Sequence, residues 1–422
     1  MRTASSIPPG SSIAVIGSGI AGLAAAWLLA TRHRVTLYES ASRCGGHSNT
    51  IEVDDDGRPL AIDTGFIVYN ARNYPNLVRF FEHLGVDTVD SNMSFAASLR
   101  DGACEYAGTD VGGLLAQPVN LLRRRFWRML REVRRFYRDA PAYLGDGAAD
   151  LTLGALLERH RYSAAFADDH LVPMAAAIWS ASARDIRAYP ARAFIEFFRN
   201  HELFELGERT PWRTVVGGAR NYVDKVLAAF DGEVRRDAAV IAVERQPGHV
   251  ELRTASDVRR FDHVVIATHA DQALRLLERP ASLERAVLGA FTYARNHAVL
   301  HRDPGLMPLR RRAWASWNYL ERGARTTDQP LCVSYWMNRL QRLDTPTDYC
   351  VTLNLAERID PARVLGTFAY AHPAFTPAGI AAQARHGEIS GVRRTRYCGA
   401  YWRWGFHEDG VWSGLRAIEG LE

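Results

Sequence analysis

One glycine-rich turn near the N-terminus constrains the fold of this chain more than any other feature. Residues 12–16 (SIAVI) have the apolar pattern of a buried strand, the run GSGIAG follows at 17–22, and a helical pattern comes next. In this context Gly17 permits a tight turn, Gly19 lets a pyrophosphate approach the backbone, and Gly22 lets helix and strand pack closely. The pattern predicts a βαβ unit that binds a dinucleotide at the N-terminus of its helix.

Glu39 strengthens this interpretation, because it directly follows a second predicted strand at residues 35–38 (VTLY). A carboxylate at this point accepts hydrogen bonds from ribose hydroxyls, and its charge repels a 2′-phosphate. The simpler alternative is a glycine-rich turn in an ordinary α/β domain that binds no nucleotide.

Length and composition narrow the class of protein. A chain of 422 residues, 47% hydrophobic and 23% charged, is typical of a globular protein with two domains. Its five cysteines are scattered without a CxxC pair, which indicates a reducing compartment and no structural metal site. Residues 1–10 lack a signal-peptide pattern, and the apolar run from Ile13 is too short to span a bilayer. We therefore expect a cytoplasmic protein without a bound metal.

Nucleotide-type elements recur in the middle and at the end of the chain, which indicates a discontinuous domain. Residues 262–268 (DHVVIAT) have the largely apolar pattern of a buried parallel strand, and a last helix is predicted from about Val411. We expect a second domain to be inserted into the first. The predicted nucleotide-binding domain comprises residues 1–85, 210–285 and 392–422, and the predicted substrate domain comprises residues 86–209 and 286–391.

A second pair of glycines narrows the cofactor. Gly45 and Gly46, in the run RCGGH at 43–47, let another backbone segment reach a pyrophosphate, and Arg43 can neutralise its charge. A plain NAD dehydrogenase does not need this loop. Near the C-terminus, residues 405–410 (GFHEDG) open the last predicted helix, whose N–H groups are placed to face an electron-rich ring.

With these motifs in view, the chain resembles the flavin-containing amine oxidase and phytoene desaturase superfamily. More closely, it is similar to bacterial NAD/FAD-binding proteins associated with cyclopropane fatty acid synthases. The resemblance covers nearly the whole chain and is carried by residues 17–22, 43–46, 63–65, 261–277, 300–319, 335–341 and 397–414. It implies FAD as the cofactor and an α/β fold, in which a Rossmann-type, amine-oxidase-like FAD-binding domain carries an inserted α+β substrate domain.

The resemblance also implies which residues contact FAD. The glycine-rich turn would contact the pyrophosphate, and Glu39 would bind the adenosine ribose. The segment from Gly65 would approach the isoalloxazine ring. Val240 would contact adenine, with an ordinary core valine as the alternative. The full set is Gly17, Ser18, Gly19, Ala21, Gly22, Glu39, Arg43, Gly45, Gly46, His47, Gly65, Phe66, Val240, Ala267, Thr268, Gly399, Asp409, Gly410 and Val411.

Two positions depart from the superfamily pattern. Many of its amine oxidases use a lysine to hold a water near flavin N5, but the one lysine here, Lys225, follows Gly217-Gly218 on a predicted helix. Ala400-Tyr401 stands where an acidic residue or threonine often follows the C-terminal glycine. We therefore do not expect standard amine oxidation. Because only one GxGxxG is complete, we expect the flavin to take hydride from the substrate, with oxygen or another carrier receiving the electrons.

The segment from Val119 to Arg138 carries most of the positive charge. It holds eight arginines and one acid, so the segment alone has a charge of +7. Because the net charge of the chain is +5, the remaining residues together have a charge of −2. On a helix most of the arginines oppose an apolar face formed by Leu122, Phe126, Met129, Leu130, Val133, Phe136 and Tyr137. Such a helix is typical of contact with an anionic membrane surface. The alternative is a helix packed on its own core with solvated or paired arginines. No nucleic-acid-binding module accompanies the segment.

Three hypotheses for the function follow. The first is an FAD-dependent oxidoreductase that takes hydride from an apolar substrate, a fatty-acyl chain of a membrane lipid, with His407 or Tyr69 accepting a proton. His407 is favoured because Glu408 and Asp409 flank it. The second is a redox-neutral, flavin-dependent double-bond isomerase. The third is a non-catalytic flavin- or lipid-binding partner of a lipid methyltransferase. A peripheral position at the inner membrane face is compatible with each.

Overall fold

A five-stranded parallel sheet forms the centre of the nucleotide-type part of the molecule. The computed structural model describes residues 7–145, 151–205, 207, 210–323 and 332–421. The strands lie in the order Glu233–Arg235, Arg34–Tyr38, Ser12–Ile16, His263–Ile266 and Thr395–Tyr397. The middle strand is apolar and buried at four of its five positions, as expected where helices cover both faces of a parallel sheet.

The first helix, Ile20–Ala30, begins directly after the glycine-rich turn and is apolar along almost its whole length. It is buried because it packs between the sheet and the C-terminal helix, His407–Ile418. The other helices of this part are Pro75–Leu84, Arg220–Ala229, Ala270–Leu276, Ser282–Leu288, Pro377–Gln383 and His386–Ile389. The predicted Rossmann-type α/β fold is confirmed.

A seven-stranded mixed sheet forms the second large layer. Its strands lie in the order Val364–Ala374, Thr292–His301, Cys350–Leu353, Cys332–Trp336, Trp317–Leu320, Phe95–Leu99 and Cys104–Ala107. All neighbours are antiparallel except Trp317–Leu320 and Phe95–Leu99, which run parallel. The short helix Met337–Leu340 follows the fourth strand of this order.

Three small antiparallel sheets complete the strands. They are formed by Thr50–Asp55 with Arg58–Asp63, by Val68–Asn70 and Thr88–Ser91 on either side of Trp212–Val215, and by Ala242–Arg245, Val250–Arg253 and Val258–Phe261. The alternation at 234–245 predicts one strand, but the structure divides it into Glu233–Arg235 and Ala242–Arg245. The first part joins the parallel sheet and the second joins a small sheet, so the chain must bend between them.

Helices cover one side of the seven-stranded sheet around a core of their own. They are Val111–Leu114, Arg124–Asp139, Leu153–Arg159, Ala164–Phe166, Val172–Trp179, Ala183–Ala188 and Ala191–Asn200, with a π-helical turn at Ala167–Leu171. The arginine-rich helix begins at Arg124, because residues 118–122 form a separate 3-10 turn. Leu122 is 84% exposed and so does not join the predicted inner face. No helix in the described part of the chain is long and apolar enough to cross a membrane.

Candidate functional site

The glycine-rich turn has close contacts that explain two of its glycines. Gly17 has a φ of +101°, which side chains rarely adopt, and donates its N–H to the carbonyl of Tyr38 over 2.8 Å. A Cβ on Gly22 would lie 1.9 Å from the carbonyl oxygen of Gly17, so the helix packs on the turn only without a side chain there. A Cβ on Gly19 would meet no atom within 4 Å. Gly19 therefore faces open space.

Glu39 lies beside this turn, held by backbone and hydroxyl donors. One carboxylate oxygen accepts hydrogen bonds from the N–H and hydroxyl of Ser18, at 3.1 and 2.5 Å, and the other accepts one from the N–H of Ala41 at 2.9 Å. These bonds fix the carboxylate at the carboxyl edge of the parallel sheet, next to a helix N-terminus. This edge is where open α/β sheets bind nucleotides.

The second glycine loop packs directly on the first. Gly45 donates its N–H to the carbonyl of Ser18 at 3.0 Å, and a Cβ on Gly46 would lie 3.1 Å from the Cα of Gly19. The exposed guanidinium of Arg43 donates to the carbonyl of Gly46 at 2.9 Å. Arg43 therefore braces the loop, and its predicted contact with a phosphate stays a prediction.

A long cavity begins at these loops and continues between the parallel sheet and the seven-stranded sheet. Its empty volume is about 1980 Å³, counting its open mouth. Fourteen of the predicted site residues line it: Gly17, Ser18, Gly19, Ala21, Glu39, Gly45, Gly46, His47, Gly65, Phe66, Ala267, Thr268, Gly399 and His407. The other seven do not: Gly22, Arg43, Tyr69, Val240, Asp409, Gly410 and Val411.

Packing explains why several predicted residues lie outside the cavity. Tyr69 is buried against the rings of Tyr74 and Phe81, and its hydroxyl contacts Thr88, so the structure does not support its predicted catalytic role. Val240 lies in the loop before the strand Ala242–Arg245 and packs at the edge of the core, which fits the alternative interpretation of a core valine.

Gly410 and Val411 serve the packing of the C-terminal helix on the first helix. A Cβ on Gly410 would lie 2.5 Å from Cγ2 of Ile20, and the side chain of Val411 is buried in the shared core. These two positions therefore pack between helices, and the predicted contact of their backbone with the cofactor stays a prediction.

His407, the favoured catalytic residue, lines the cavity as a neutral ring. It stacks on Phe66 with the centroids 3.6 Å apart, and its Nε2 lies 2.9 Å from the hydroxyl of Ser48 and 3.2 Å from that of Tyr222. Burial lowers the pKa of His407 to about 3, so the imidazole stays neutral near pH 7. A group with this pKa is a weak proton acceptor. We interpret His407 as a hydrogen-bonding residue that positions Phe66.

The two acids that flank His407 face away from the cavity and cap helices. Glu408 accepts hydrogen bonds from the N–H groups of Asn76 and Leu77, both at 3.0 Å, at the start of the helix Pro75–Leu84. Asp409 accepts one from the N–H of Phe406 at 2.9 Å, at the start of its own helix. They satisfy N–H groups that a helix end leaves unpaired. Neither the predicted assistance to His407 nor the predicted cofactor contact of Asp409 is supported.

Glu408→Ala is expected to lower the free energy of unfolding by about 1–2 kcal/mol, the usual cost of losing a helix cap. FAD content is expected to stay the same, because the carboxylate does not face the cavity. Urea unfolding and the visible spectrum of the purified protein measure the two effects. Glu419→Ala, an exposed acid after the end of the same helix, is the control. Loss of FAD from the Glu408 variant alone would contradict the capping role.

A wall of imidazole and phenol rings lines this cavity, and His47 is the one member of it that the sequence predicts as a site residue. The ring of His47 lies 5.0 Å from Tyr370 and 5.5 Å from His372, and His269 stacks on Tyr293 at 4.5 Å. Burial lowers the pKa of His372 to about 4 and that of His47 well below its usual value. These residues come from two loops and two strands, so no local pattern joins them. In the described part of the chain no group of three or more His, Cys, Asp or Glu side chains is arranged to hold a metal ion.

The loop end of the cavity suits a pyrophosphate. Nε2 of His47 is buried and has no hydrogen-bond partner among the described residues. A neutral imidazole that carries its proton on this nitrogen can donate to a phosphate oxygen. Gly19 leaves open space beside the N-terminus of the first helix, whose N–H groups attract anions.

The rest of the cavity is largely apolar. Its walls include Met93, Ile178, Trp179, Trp212, Trp317, Tyr335 and Leu353. Among the described lining residues, Glu39 is the only carboxylic acid, and none is a lysine or arginine. Lys225 lies outside the cavity lining and donates to the carbonyl of Gly85 at 2.5 Å. The cavity therefore joins a polar end, suited to phosphate, to an uncharged end.

The chain matches a known family of flavin-containing proteins over most of its length. Residues 20–298 match the model of the flavin-containing amine oxidoreductase family. The chain belongs to this family. It is therefore an FAD-dependent oxidoreductase, and the glycine loops, Glu39 and His47 fit the pyrophosphate and ribose of FAD. No curated protein sequence matches the chain at a significant level.

Solved structures of other proteins share the fold. A proposed protoporphyrinogen oxidase from Exiguobacterium sp. 255-15 has a TM-score of 0.70 at 17% identity, and a fatty acid isomerase from P. acnes that produces CLA has 0.70 at 16%. Cyclohexylamine oxidase from Brevibacterium oxydans IH-35A has a TM-score of 0.65 at 16% identity. Each match covers 98% of this chain and 99% of the other chain. These likenesses support the amine-oxidase-like fold, and identities this low carry no substrate over.

Proposed function

We propose that the protein uses FAD to oxidise an uncharged, apolar substrate, and that this substrate is a fatty-acyl chain of a membrane lipid. The observation that carries the proposal is the uncharged end of the cavity, with its aromatic and aliphatic walls. An alkyl chain gains about 0.8 kcal/mol for each CH₂ that it buries against such walls. Aromatic rings such as Trp317 and Tyr335 supply much of this surface.

The described lining of the cavity offers no free carboxylate to a positively charged substrate, and this disfavours an amine. A protonated amine would lose its hydration on entering, and burial of an unpaired charge is costly. Glu39 is the one acid among the described lining residues, and its two oxygens already accept hydrogen bonds from Ser18 and from Ala41. The chain also lacks a lysine at the cavity. We therefore do not propose amine oxidation within this family.

In the proposed reaction the residues of this chain bind, orient and exclude water. FAD supplies a two-electron acceptor when it is bound. The two glycine loops and His47 would hold its pyrophosphate, and Glu39 would hold its ribose. The apolar walls would fix an alkyl chain in one orientation and keep water from the reacting C–H bond, which lowers the barrier. His407 keeps Phe66 in place by stacking and is not assigned a proton transfer.

Without oxygen, a phospholipid with a suitable acyl chain is expected to bleach the flavin absorbance in proportion to the lipid oxidised. Putrescine, a small dication, is expected to leave the spectrum unchanged. Stopped-flow absorbance measures the bleaching, and mass spectrometry of the recovered lipid measures the product. Bleaching by putrescine, with none by any of a panel of lipids, would overturn the apolar-substrate proposal.

A redox-neutral shift of a double bond is the second candidate function. The likeness in fold to a fatty acid isomerase, at a TM-score of 0.70, supports this second candidate. The same anaerobic experiment separates the two candidates, because an isomerase forms product while the flavin spectrum remains oxidised between turnovers.

The sequence resemblance to proteins associated with cyclopropane fatty acid synthases adds a proposed partner, a lipid methyltransferase. Co-purification from cells with a tagged copy of this chain tests the partnership. Recovery of the chain without any methyltransferase would argue against it, and would leave the oxidase proposal untouched.

A further inference from the structure

The outward side of the arginine-rich helix, Arg124–Asp139, combines positive charge with exposed apolar side chains. We propose that this side docks the protein on the surface of an anionic lipid bilayer. The docking face consists of Arg124, Trp127, Arg131 and Arg134 on the helix and of Val119, Leu121 and Leu122 on the 3-10 turn before it. The proposal does not depend on the proposed function, because it concerns a surface and not the cavity.

Helix geometry places the charged residues and the tryptophan together. At 100° per residue, Arg124, Trp127, Arg131 and Arg134 fall within one stripe, and the structure shows all four exposed. Phe126, Met129, Phe136 and Tyr137 lie on the opposite side and are buried. The helix therefore lies along the surface with its apolar stripe already used for its own core, and any partner must contact the outward stripe.

Large apolar side chains are exposed here more than elsewhere. Of the ten large hydrophobic residues that are exposed in the described chain, four fall within nine residues: Val119, Leu121, Leu122 and Trp127. Leu122 is 84% exposed and Trp127 is 46% exposed. The indole N–H of Trp127 donates to the carbonyl of Leu121 at 2.8 Å, which joins the turn to the helix. Clustered exposed apolar residues mark an interaction surface.

The charge of the face is not cancelled within the molecule. Arg125, Arg128 and Arg138 form ion pairs with Asp169, Glu132 and Asp139. Arg124, Arg131 and Arg134 form no ion pair with any residue that the structure describes. These three arginines lie on the same stripe of the helix as Trp127, so a partner that pairs with them also meets the indole ring.

An anionic bilayer fits this combination better than a nucleic acid does. Lipid phosphates pair with the arginines, the headgroup region accepts tryptophan, and the acyl boundary accepts leucine and valine. A nucleic acid would use the arginines but would leave Val119, Leu121 and Leu122 against water or sugar. A second copy of this chain would bring the same positive charge to the contact and would repel it.

Sedimentation with sucrose-loaded vesicles tests the proposal on the full-length, FAD-loaded protein. The wild type is expected to bind vesicles of phosphatidylglycerol and phosphatidylethanolamine, and to bind phosphatidylcholine vesicles weakly. The triple variant Arg124→Glu/Arg131→Glu/Arg134→Glu is expected to bind the anionic vesicles about 100-fold more weakly, since each arginine near such a surface adds several-fold to the affinity. Leu122→Ser/Trp127→Ala tests the apolar part and is expected to weaken binding without changing net charge.

The triple variant Arg32→Glu/Arg285→Glu/Arg295→Glu is the matched control, because it changes the net charge equally at exposed arginines that lie outside the docking face. If both triple variants lost binding equally, the loss would be due to net charge alone and not to the docking face, and the proposal would be overturned. Absence of binding by the wild type would also overturn it, as would binding of duplex DNA or self-association that only the face variants remove. Far-ultraviolet circular dichroism and FAD content confirm that each variant is folded.

Discussion

Gly19→Leu is expected to abolish FAD binding while leaving the protein folded. The backbone of Gly19 has φ of −66° and ψ of 174°, which leucine adopts without strain, and a Cβ there meets no atom within 4 Å. The side chain would enter the open space in front of the glycine-rich turn, where we expect the pyrophosphate of FAD to bind. We expect at least about a 100-fold loss of affinity, about 2.7 kcal/mol. The visible spectrum of the purified protein and titration of the apoprotein with FAD measure it.

Gly22→Ala is the matched comparison within the same motif. Its Cβ would lie 1.9 Å from the carbonyl oxygen of Gly17, so the turn and helix must separate and the protein is expected to lose stability as well as FAD. Gly387→Ala, where a Cβ meets nothing within 4 Å, should keep both. If Gly19→Leu binds FAD normally, or unfolds as readily as Gly22→Ala, the placement of the pyrophosphate in front of Gly19 is wrong.

Acid is expected to destabilise the apoprotein strongly, because several histidines are buried in the neutral form. Burial lowers the pKa of His170, His201, His301 and His372 to about 4 and that of His407 to about 3. Below pH 6.5 the unfolded chain binds protons at these sites and the folded chain does not, so stability falls as pH falls toward 4. Each such histidine costs roughly 2 kcal/mol between about pH 7.5 and about pH 5.

Two buried aspartates oppose this trend in part. Burial raises the pKa of Asp63 and Asp409 to about 7, so the folded chain binds their protons first and gains stability as pH falls from 7 toward 4. Five histidines outweigh two aspartates, and we expect a net loss of several kcal/mol. Urea unfolding of the apoprotein at about pH 7.5 and at about pH 5 measures this loss in the free energy of unfolding.

His301 offers a specific test of this acid effect. The N–H of Asp303 donates to its Nδ1 at 3.0 Å, and Nε2 lies 2.7 Å from the hydroxyl of Thr352. Protonation would place a second N–H against that of Asp303, so the neutral tautomer is favoured. His301→Gln removes the titrating group and is expected to shrink the stability difference between the two pH values by roughly 2 kcal/mol. An unchanged difference would show that His301 is not buried neutral.

Local patterns were enough to predict the turn and the loops at one end of the cavity. The glycine turn, Glu39 and the 43–47 loop are each recognisable from residues close in sequence, and Gly17, Gly19 and Glu39 line this end of the cavity. The error at Glu408 and Asp409 was also local, because neighbouring helical residues point about 100° apart. If His407 faces the cavity, the next two side chains turn away from it, and they cap helices instead.

The sequence by itself determined the βαβ unit, the flavin-type loops, the absence of an active-site lysine and the strong charge of residues 119–138. Only the tertiary structure decided which side chains share one cavity. His47, His269 and His372 meet because strands and loops from distant parts of the chain converge, and the burial that keeps His407 neutral arises from that same convergence. The turn before the first helix is encoded in six consecutive residues. The uncharged end of the cavity depends instead on packing between distant parts of the chain.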